Sequence, residues 1–219
     1  MVRRKIFLVN GLPGSGKGTQ AIKIAEAFSL HHISSGQLIR NAINSGLKDE
    51  FHEEIKKRYD KGVIQPDSVA NQLVDKELGE LSDSSGVVLD SYPLNISQAA
   101  FLEKIIKKYD FEKPIFIFIN VDKNQIISRL SKRKICVACG APIISVDDNE
   151  KKCKKCGGNL IVRSDDQPKV VEARIKNYLP NLEALIKFFN QKGQVIDIDG
   201  NKTIKEVSGE LFQKLVIKK

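Results

Sequence analysis

Short, nearly unbroken apolar runs alternate along this chain with longer stretches in which apolar positions recur at helical spacing. The runs KIFLVN (5–10), GVVLD (86–90), IFIFINV (115–121) and QVIDI (194–198) have the length and composition of strands buried in a parallel sheet. Helical periodicity fills 18–29, 66–80, 96–108, 122–134 and 168–190. This alternation predicts an α/β fold, a parallel sheet with helices on both faces. Two stretches interrupt it. Residues 34–64 read as two polar helices with no strand between them, and 134–166 hold cysteines among Gly, Lys and Asp. Both are expected to project as small flaps from a single unit, 1–219, whose core is 1–33, 65–133 and 167–219.

The first strand runs into NGLPGSGKGTQ (10–20), which opens a helix. Gly11, Gly14, Gly16 and Gly18 allow backbone N–H groups to turn inward around an anion, Lys17 adds a point charge, and the helix N-terminus adds its dipole. That context makes the segment a phosphate-binding P-loop. A P-loop usually places Ser or Thr directly after its Lys to hold Mg²⁺. Here that position is Gly18 and the hydroxyl comes at Thr19, so the metal needs help from elsewhere. Asp90, ending the run GVVLD, sits where ligands of such sheets bind and is the candidate, acting through water; a turn cap is its competing reading.

All four cysteines form two C-x-x-C knuckles, Cys136/Cys139 and Cys153/Cys156, each followed by glycine. The spacing indicates a tetrahedral Zn²⁺ with every position filled, hence structural, with paired disulfides as the alternative. A formal net charge of +9 suits a nucleic acid or a small polyphosphate equally. Against nucleic acid, 136–158 lack any aromatic residue to stack on bases, and Lys151, Lys152, Lys154 and Lys155 are opposed by Asp147, Asp148 and Glu150. No apolar stretch approaches the roughly 20 residues that cross a bilayer, and MVRRKIFLVNG meets a glycine turn before any signal-peptide core forms. The expected location is cytoplasmic. His31, His32 and His52 match no chemistry and are taken as packing or surface residues.

Together with ISSGQLIR (33–40), GVIQPDS (62–68), VVLDSYP (87–93), SRLSKR (128–133), VRSDDQPKVVEARIKNY (162–178) and IDGNK (198–202), the glycine loop resembles the adenylate kinase branch of the nucleoside monophosphate kinases. The resemblance runs through the whole chain in order. It implies transfer of the terminal phosphate of MgATP to AMP, giving two ADP, in a monomer with no nucleic-acid or membrane partner. It puts ATP on Gly14, Ser15, Gly16, Lys17, Gly18 and Thr19, with Arg129, Arg133 and Lys202. AMP falls to Ser35, Arg40, Gln65, Gln98, Arg163 and Arg174, with Gln98 reading adenine. Catalysis rests on Lys17, Arg133, Arg163, Arg174 and Asp90. Residues 34–64 become the monophosphate flap and 134–166 a lid, which in some relatives carries such a zinc site. The acceptor is already an oxyanion, so alignment and charge neutralisation suffice and little or no general base is needed.

The acceptor side departs from the family pattern. The family turn Asp-Gly-Phe-Pro-Arg, whose arginine binds the acceptor phosphate, here reads Asp90-Ser91-Tyr92-Pro93-Leu94. Losing one charge-stabilising donor lowers a rate on the order of 10²- to 10³-fold unless another cation fills the gap. Gln37 replaces a family Asp, though Ser34-x-x-Gln37 keeps the form of a capping box. Gln65 stands where an apolar residue is usual, close to the expected acceptor ribose. Three readings remain: an adenylate kinase with altered or weakened acceptor binding; a kinase of another monophosphate, with Gln98 arguing against a pyrimidine; and an ATP-binding protein that has lost transfer. Arg40, Arg129, Arg133, Arg163 and Arg174 argue against the last.

Overall fold

The computed structural model describes residues 3–47, 49–81, 86–140, 142–144 and 150–217. Five parallel strands, β1 (Ile6–Asn10), β2 (His31–Ser34), β3 (Val87–Asp90), β4 (Ile115–Asn120) and β8 (Val195–Asp199), lie in the order β2-β3-β1-β4-β8. Each expected run forms a strand, and every pairing is parallel. The helices are α1 (Lys17–Phe28), α2 (Ser35–Ile43), α3 (Glu50–Asp60), α4 (Asp67–Gly79), α5 (Ile96–Lys108), α6 (Lys123–Ser131), α7 (Pro168–Gln191) and α8 (Ile204–Ile217).

Strand alternation splits the core into two layers. Phe7, Val9, Val88, Ile117 and Ile119 pack on Ala21 and Ile24 of α1, Ile126 and Leu130 of α6, and Val207, Leu211 and Leu215 of α8. On the other face Ile6, Leu8, Leu89 and Phe116 pack on Ala70, Val74 and Leu78 of α4 and on Ala99, Leu102 and Ile105 of α5. The long helix α7 serves both layers. Its Val171 and Ile175 join the first, and Leu182, Leu185 and Phe189 the second, with Pro180 inside the helix between them.

Within the main sheet and its covering helices, two elements lie outside the sequence expectation. The strand β2 is a four-residue edge with only Ile33 buried, and α8 continues beyond the last expected strand. Within 34–64, α2 and α3 are the two polar helices. The expected capping box does not form: Ser34 is the N-cap of α2 but its side chain caps nothing. Gln37 turns instead along the helix, accepting from Arg40 Nη2 at 2.7 Å and donating to Asn41 at 2.8 Å.

After α6 the chain makes a second, antiparallel sheet, β6-β5-β7, from β5 (Arg133–Cys136), β6 (Pro142–Ile144) and β7 (Leu160–Ile161). A 3₁₀ turn, Ser164–Asp166, returns it to α7. Asp147 and Asp148 lie outside the described residues. No helix of the described residues is long and apolar enough to cross a membrane.

In the main sheet the chain from β1 passes first to β2 and β3 on one side, then to β4 and β8 on the other. The carboxyl end of β1 is therefore the topological switch point, where sheets of this kind open a crevice for ligands. The glycine loop and Asp90 both sit at that edge.

Candidate active site

The loop between β1 and α1 takes backbone conformations that only glycine adopts easily, with φ of 83° at Gly14 and 88° at Gly16. Gly16 is the N-cap of α1 and offers no side-chain cap, so the first-turn N–H groups remain open toward the crevice. Ser15 is 2 % exposed, yet its Oγ makes no hydrogen bond among the described residues. A buried hydroxyl without a partner beside an uncapped helix start fits a phosphate oxygen as its missing partner. Lys17 donates from Nζ to Leu12 O at 3.3 Å. Burial pushes its ammonium down to about 8; Asp90 opposes this, and Arg174, Arg133 and Arg163 add to it.

The position after Lys17 is closely approached by Asp90. A Cβ at Gly18 would lie 3.2 Å from Asp90 Oδ2, so the carboxylate leans directly over the α1 backbone. Asp90 is 6 % exposed. Burial pushes its carboxyl up, but His32, Lys17 and Ser91 together hold it below the usual range. Ser91 Oγ donates to Oδ1 at 3.0 Å, and His32 Nε2 stands 3.6 Å from Oδ2. His32, assigned no role from sequence, thus belongs to the surroundings of this acid. A buried ionised carboxylate beside the loop, with Thr19 in the adjoining turn of α1, is a donor set that suits a hydrated hard cation.

Three arginines meet two buried acids. Arg133 donates from Nε and Nη2 to Asp166 at 2.7 and 2.5 Å. Arg163 donates from Nε and Nη2 to Asp165 at 2.7 and 2.5 Å, and Arg174 Nη1 donates to the same carboxylate at 2.8 Å. Burial pushes the Asp165 carboxyl up, but Arg174 and Arg163 outweigh it and hold the acid below the ordinary range. Asp165 and Asp166, to which the sequence reading gave no part, are the anchors that gather these guanidinium groups. Arg129 donates to Gly200 O at 2.9 Å. Lys202 is half-exposed and paired to Glu210 at 2.8 Å, away from the cleft lining.

One cleft joins the loop to the acceptor-side residues. Lys17, Ser35, Arg40, Tyr59, Gln65, Leu94, Gln98, Arg163 and Arg174 all line it. Gly62 closes its wall: at φ 66° a Cβ there would meet Arg174 Cγ at 2.7 Å and Val170 O at 2.9 Å, so no side chain fits between this turn and α7. Several side chains are committed within the protein. Ser35 Oγ donates to Ser91 O at 2.6 Å. Gln98 Oε1 accepts from Leu94 N at 2.7 Å and its Nε2 donates to Asp67 at 3.0 Å, which leaves one amide proton and one lone pair for a base. Gln65 Nε2 donates to Ile55 O at 2.9 Å, while its buried Oε1 has no partner among the described residues.

The four cysteine sulfurs lie within 4.8 Å of one another, with Cys136 and Cys156 at 3.4 Å and Cys139 and Cys153 at 3.8 Å. Zn–S bonds of about 2.3 Å in a tetrahedron put sulfurs roughly 3.8 Å apart, so the cluster fits zinc. The Cys139 N–H, with Cys156 and Ala138, brings the Cys136 thiol down to about 6 although burial opposes it. Cys156 is drawn down by the Gly158 N–H but pushed up to about 12 by the sulfurs of Cys139 and Cys136. Four sulfurs this close make a site that a metal cation would fit.

The family model for adenylate kinase matches residues 9–194. Adenylate kinases of similar sequence come from Petrotoga mobilis, 37 % identical over 212 residues covering 95 % of this chain and 96 % of the relative, and from Caldanaerobacter subterraneus subsp. tengcongensis, 37 % identical over 209 residues covering 94 % of each. The Bacillus licheniformis adenylate kinase is 37 % identical over 212 residues, 95 % of this chain and 97 % of its own. Matched by that family model over most of its length and by relatives 37 % identical along nearly all of it, the chain belongs to the adenylate kinase family.

Proposed function

We propose that the protein transfers the terminal phosphate of MgATP to AMP, releasing two ADP. The observation that carries this reading is the convergence of Lys17, Arg40, Arg163 and Arg174 on one cleft beside a glycine loop. A protein that only bound ATP would need no cations beyond the loop side.

In this reading the loop N–H groups of Gly14 to Thr19, with Ser15 Oγ and Lys17, hold the ATP phosphates, and Arg129 and Arg133 approach them from the lid side. Lys202 is retained as an ATP contact from the resemblance alone. Bound with ATP, Mg²⁺ would be held through water by Asp90 and would neutralise charge between the phosphates. Arg40, Ser35, Gln65 and Gln98 hold AMP. Arg163 and Arg174, fixed by Asp165, flank the transferring group, where with Lys17 and Arg133 they offset the equatorial charge of the transition state. The AMP phosphate oxygen attacks phosphorus in line, the bond to the ADP oxygen breaks, and no proton needs to move.

Residues 34–64 act as the acceptor flap and 134–166 as a lid, stiffened by one structural Zn²⁺ on Cys136, Cys139, Cys153 and Cys156. We assign the protein to the cytoplasm as a monomer with no nucleic-acid or membrane partner. The deciding assay gives the purified protein MgATP with AMP, GMP, CMP or UMP and follows diphosphate formation. Turnover with AMP alone is expected. Preference for another monophosphate, or no transfer to any, would replace this reading.

A further inference from the structure

Leu94 lines the cleft at the turn where the resemblance calls for a phosphate-binding arginine, so the acceptor phosphate lacks one donor. Tyr59, near the end of α3, lines the same cleft. Its hydroxyl accepts from Arg163 Nη2 at 3.1 Å. The same phenol acts on Arg40, whose guanidinium is lowered by burial and by Arg163 and supported by Tyr59. Arg40 and Arg163 stand on different segments, α2 and the turn after β7, and the phenol oxygen is the atom that both approach. A phenol has one proton to donate, and among the described residues the Tyr59 hydroxyl is seen only accepting. An O–H whose oxygen already accepts from guanidinium groups is polarised into a better donor.

We propose that Tyr59 donates this hydroxyl to the acceptor phosphate and so stands in for the arginine that Leu94 replaces. The proposal rests on the reading of the cleft as the acceptor site. A neutral O–H between two guanidinium groups adds a third donor direction to an oxyanion held by Arg40 and Arg163. Being uncharged, it recovers part of what a guanidinium would give, since charge-assisted hydrogen bonds are about twice as strong as neutral ones. It also avoids placing a further cation beside Arg40, Arg163, Arg174 and Lys17.

The test is a double-mutant cycle of Tyr59→Phe and Leu94→Arg, with Leu94→Lys as the alternative should the arginine variant not fold. In the wild-type background Tyr59→Phe is expected to lower kcat/KM for AMP about 10- to 100-fold, with KM for ATP changed less than threefold and the melting temperature unmoved. With Leu94→Arg present, the same substitution should lose less than threefold, because the restored cation makes the hydroxyl redundant. Leu94→Arg alone should help Tyr59→Phe far more than it helps the wild type. An equal loss in both backgrounds would make Tyr59 a clamp between flap and lid and overturn the proposal, as would a wild-type-like Tyr59→Phe. Calorimetric affinity for AMP without ATP, in the same four proteins, separates this from the parent reading. If the wild type transfers no phosphate yet binds AMP, and Tyr59→Phe loses that affinity, Tyr59 keeps its role while the kinase assignment fails. If AMP affinity is unchanged across all four, Tyr59 is not a ligand of that phosphate.

Discussion

Lys17, to which the proposed function gives the ATP phosphates, illustrates how a buried charge works against the fold. Its ammonium is held down to about 8, from an ordinary 10.5. Between those values the unfolded chain carries the extra proton, so this group makes stability rise as pH climbs from about 8 to about 10.5; below 8 the fold holds a charge it disfavours. Lys17→Met keeps the stem and removes the charge. At pH 7 its melting temperature should equal or exceed the wild type while phosphate transfer drops at least ~10³-fold; a variant that keeps a tenth of the activity would contradict the assignment. Because bound ATP favours the charged form, wild-type affinity for ATP should also fall as pH rises past about 8. The opposite balance holds at Asp165, 2 % exposed and shared by two guanidinium groups. Asp165→Asn leaves both with a neutral partner, and we expect a loss of about 3 kcal/mol together with a fall in turnover, read by thermal denaturation and by the AMP assay. Stability within 1 kcal/mol of wild type would show that the lid arginines are held by other means.

Long periodic segments and uniformly apolar runs were legible as elements because burial alone determines them, as at β1, β3 and β4. The strand β2 was not, since HHIS buries one residue of four and takes its extended form from pairing with β3, a contact that no local pattern encodes. By contrast Val207, Leu211 and Leu215 of α8 recur every four residues and are all buried, a spacing that local sequence does encode. The site divides the same way. Glycines and Lys17 announce themselves by spacing, whereas Asp165, Asp166 and His32 matter only through what the fold sets beside them. In α7 the helical pattern is strong enough to run through Pro180, which removes one ladder donor and crowds the carbonyl four residues back. Pro180 is exposed, so Ala would forfeit little burial there. Pro180→Ala should therefore stabilise the protein by about 2 kcal/mol after the entropy of the freer unfolded chain is counted, a rise of about 4–8 °C in Tm for a chain of this length. A lower Tm would mean that the helix needs its irregularity at this point, between the halves that serve the two core layers.

Across the whole molecule the two sheets are held by different forces. The five-stranded sheet is covered by apolar layers on both faces, while the three-stranded sheet has almost none. Between Lys134 and Val162 the buried described residues are Cys136 and Cys153, and Val137, Ile144, Ile161 and Val162 are exposed. A segment this poor in buried apolar surface offsets little of its own ordering entropy, and the proposed zinc on its four cysteines would supply the difference. One Zn²⁺ per chain is expected by elemental analysis of protein purified without chelator. Removing it should unfold the lid locally and leave the core intact, giving a separate low-temperature transition in calorimetry rather than one shifted peak. If 134–166 is the lid of the proposed function, the consequence for activity follows from where it is tethered. Arg133 opens β5 and Arg163 follows β7, so both ends of the loosened segment carry a guanidinium that the acids Asp165 and Asp166 otherwise fix. Lys17 and the glycine loop belong to the core and stay formed. Zinc-free protein should thus bind ATP within about threefold of the native affinity but lose at least tenfold in kcat, since orientation of the transferring group is what has gone. Adding Zn²⁺ back should restore turnover. Full turnover in protein shown to contain no metal would mean that the salt-bridged arginines close the lid without it.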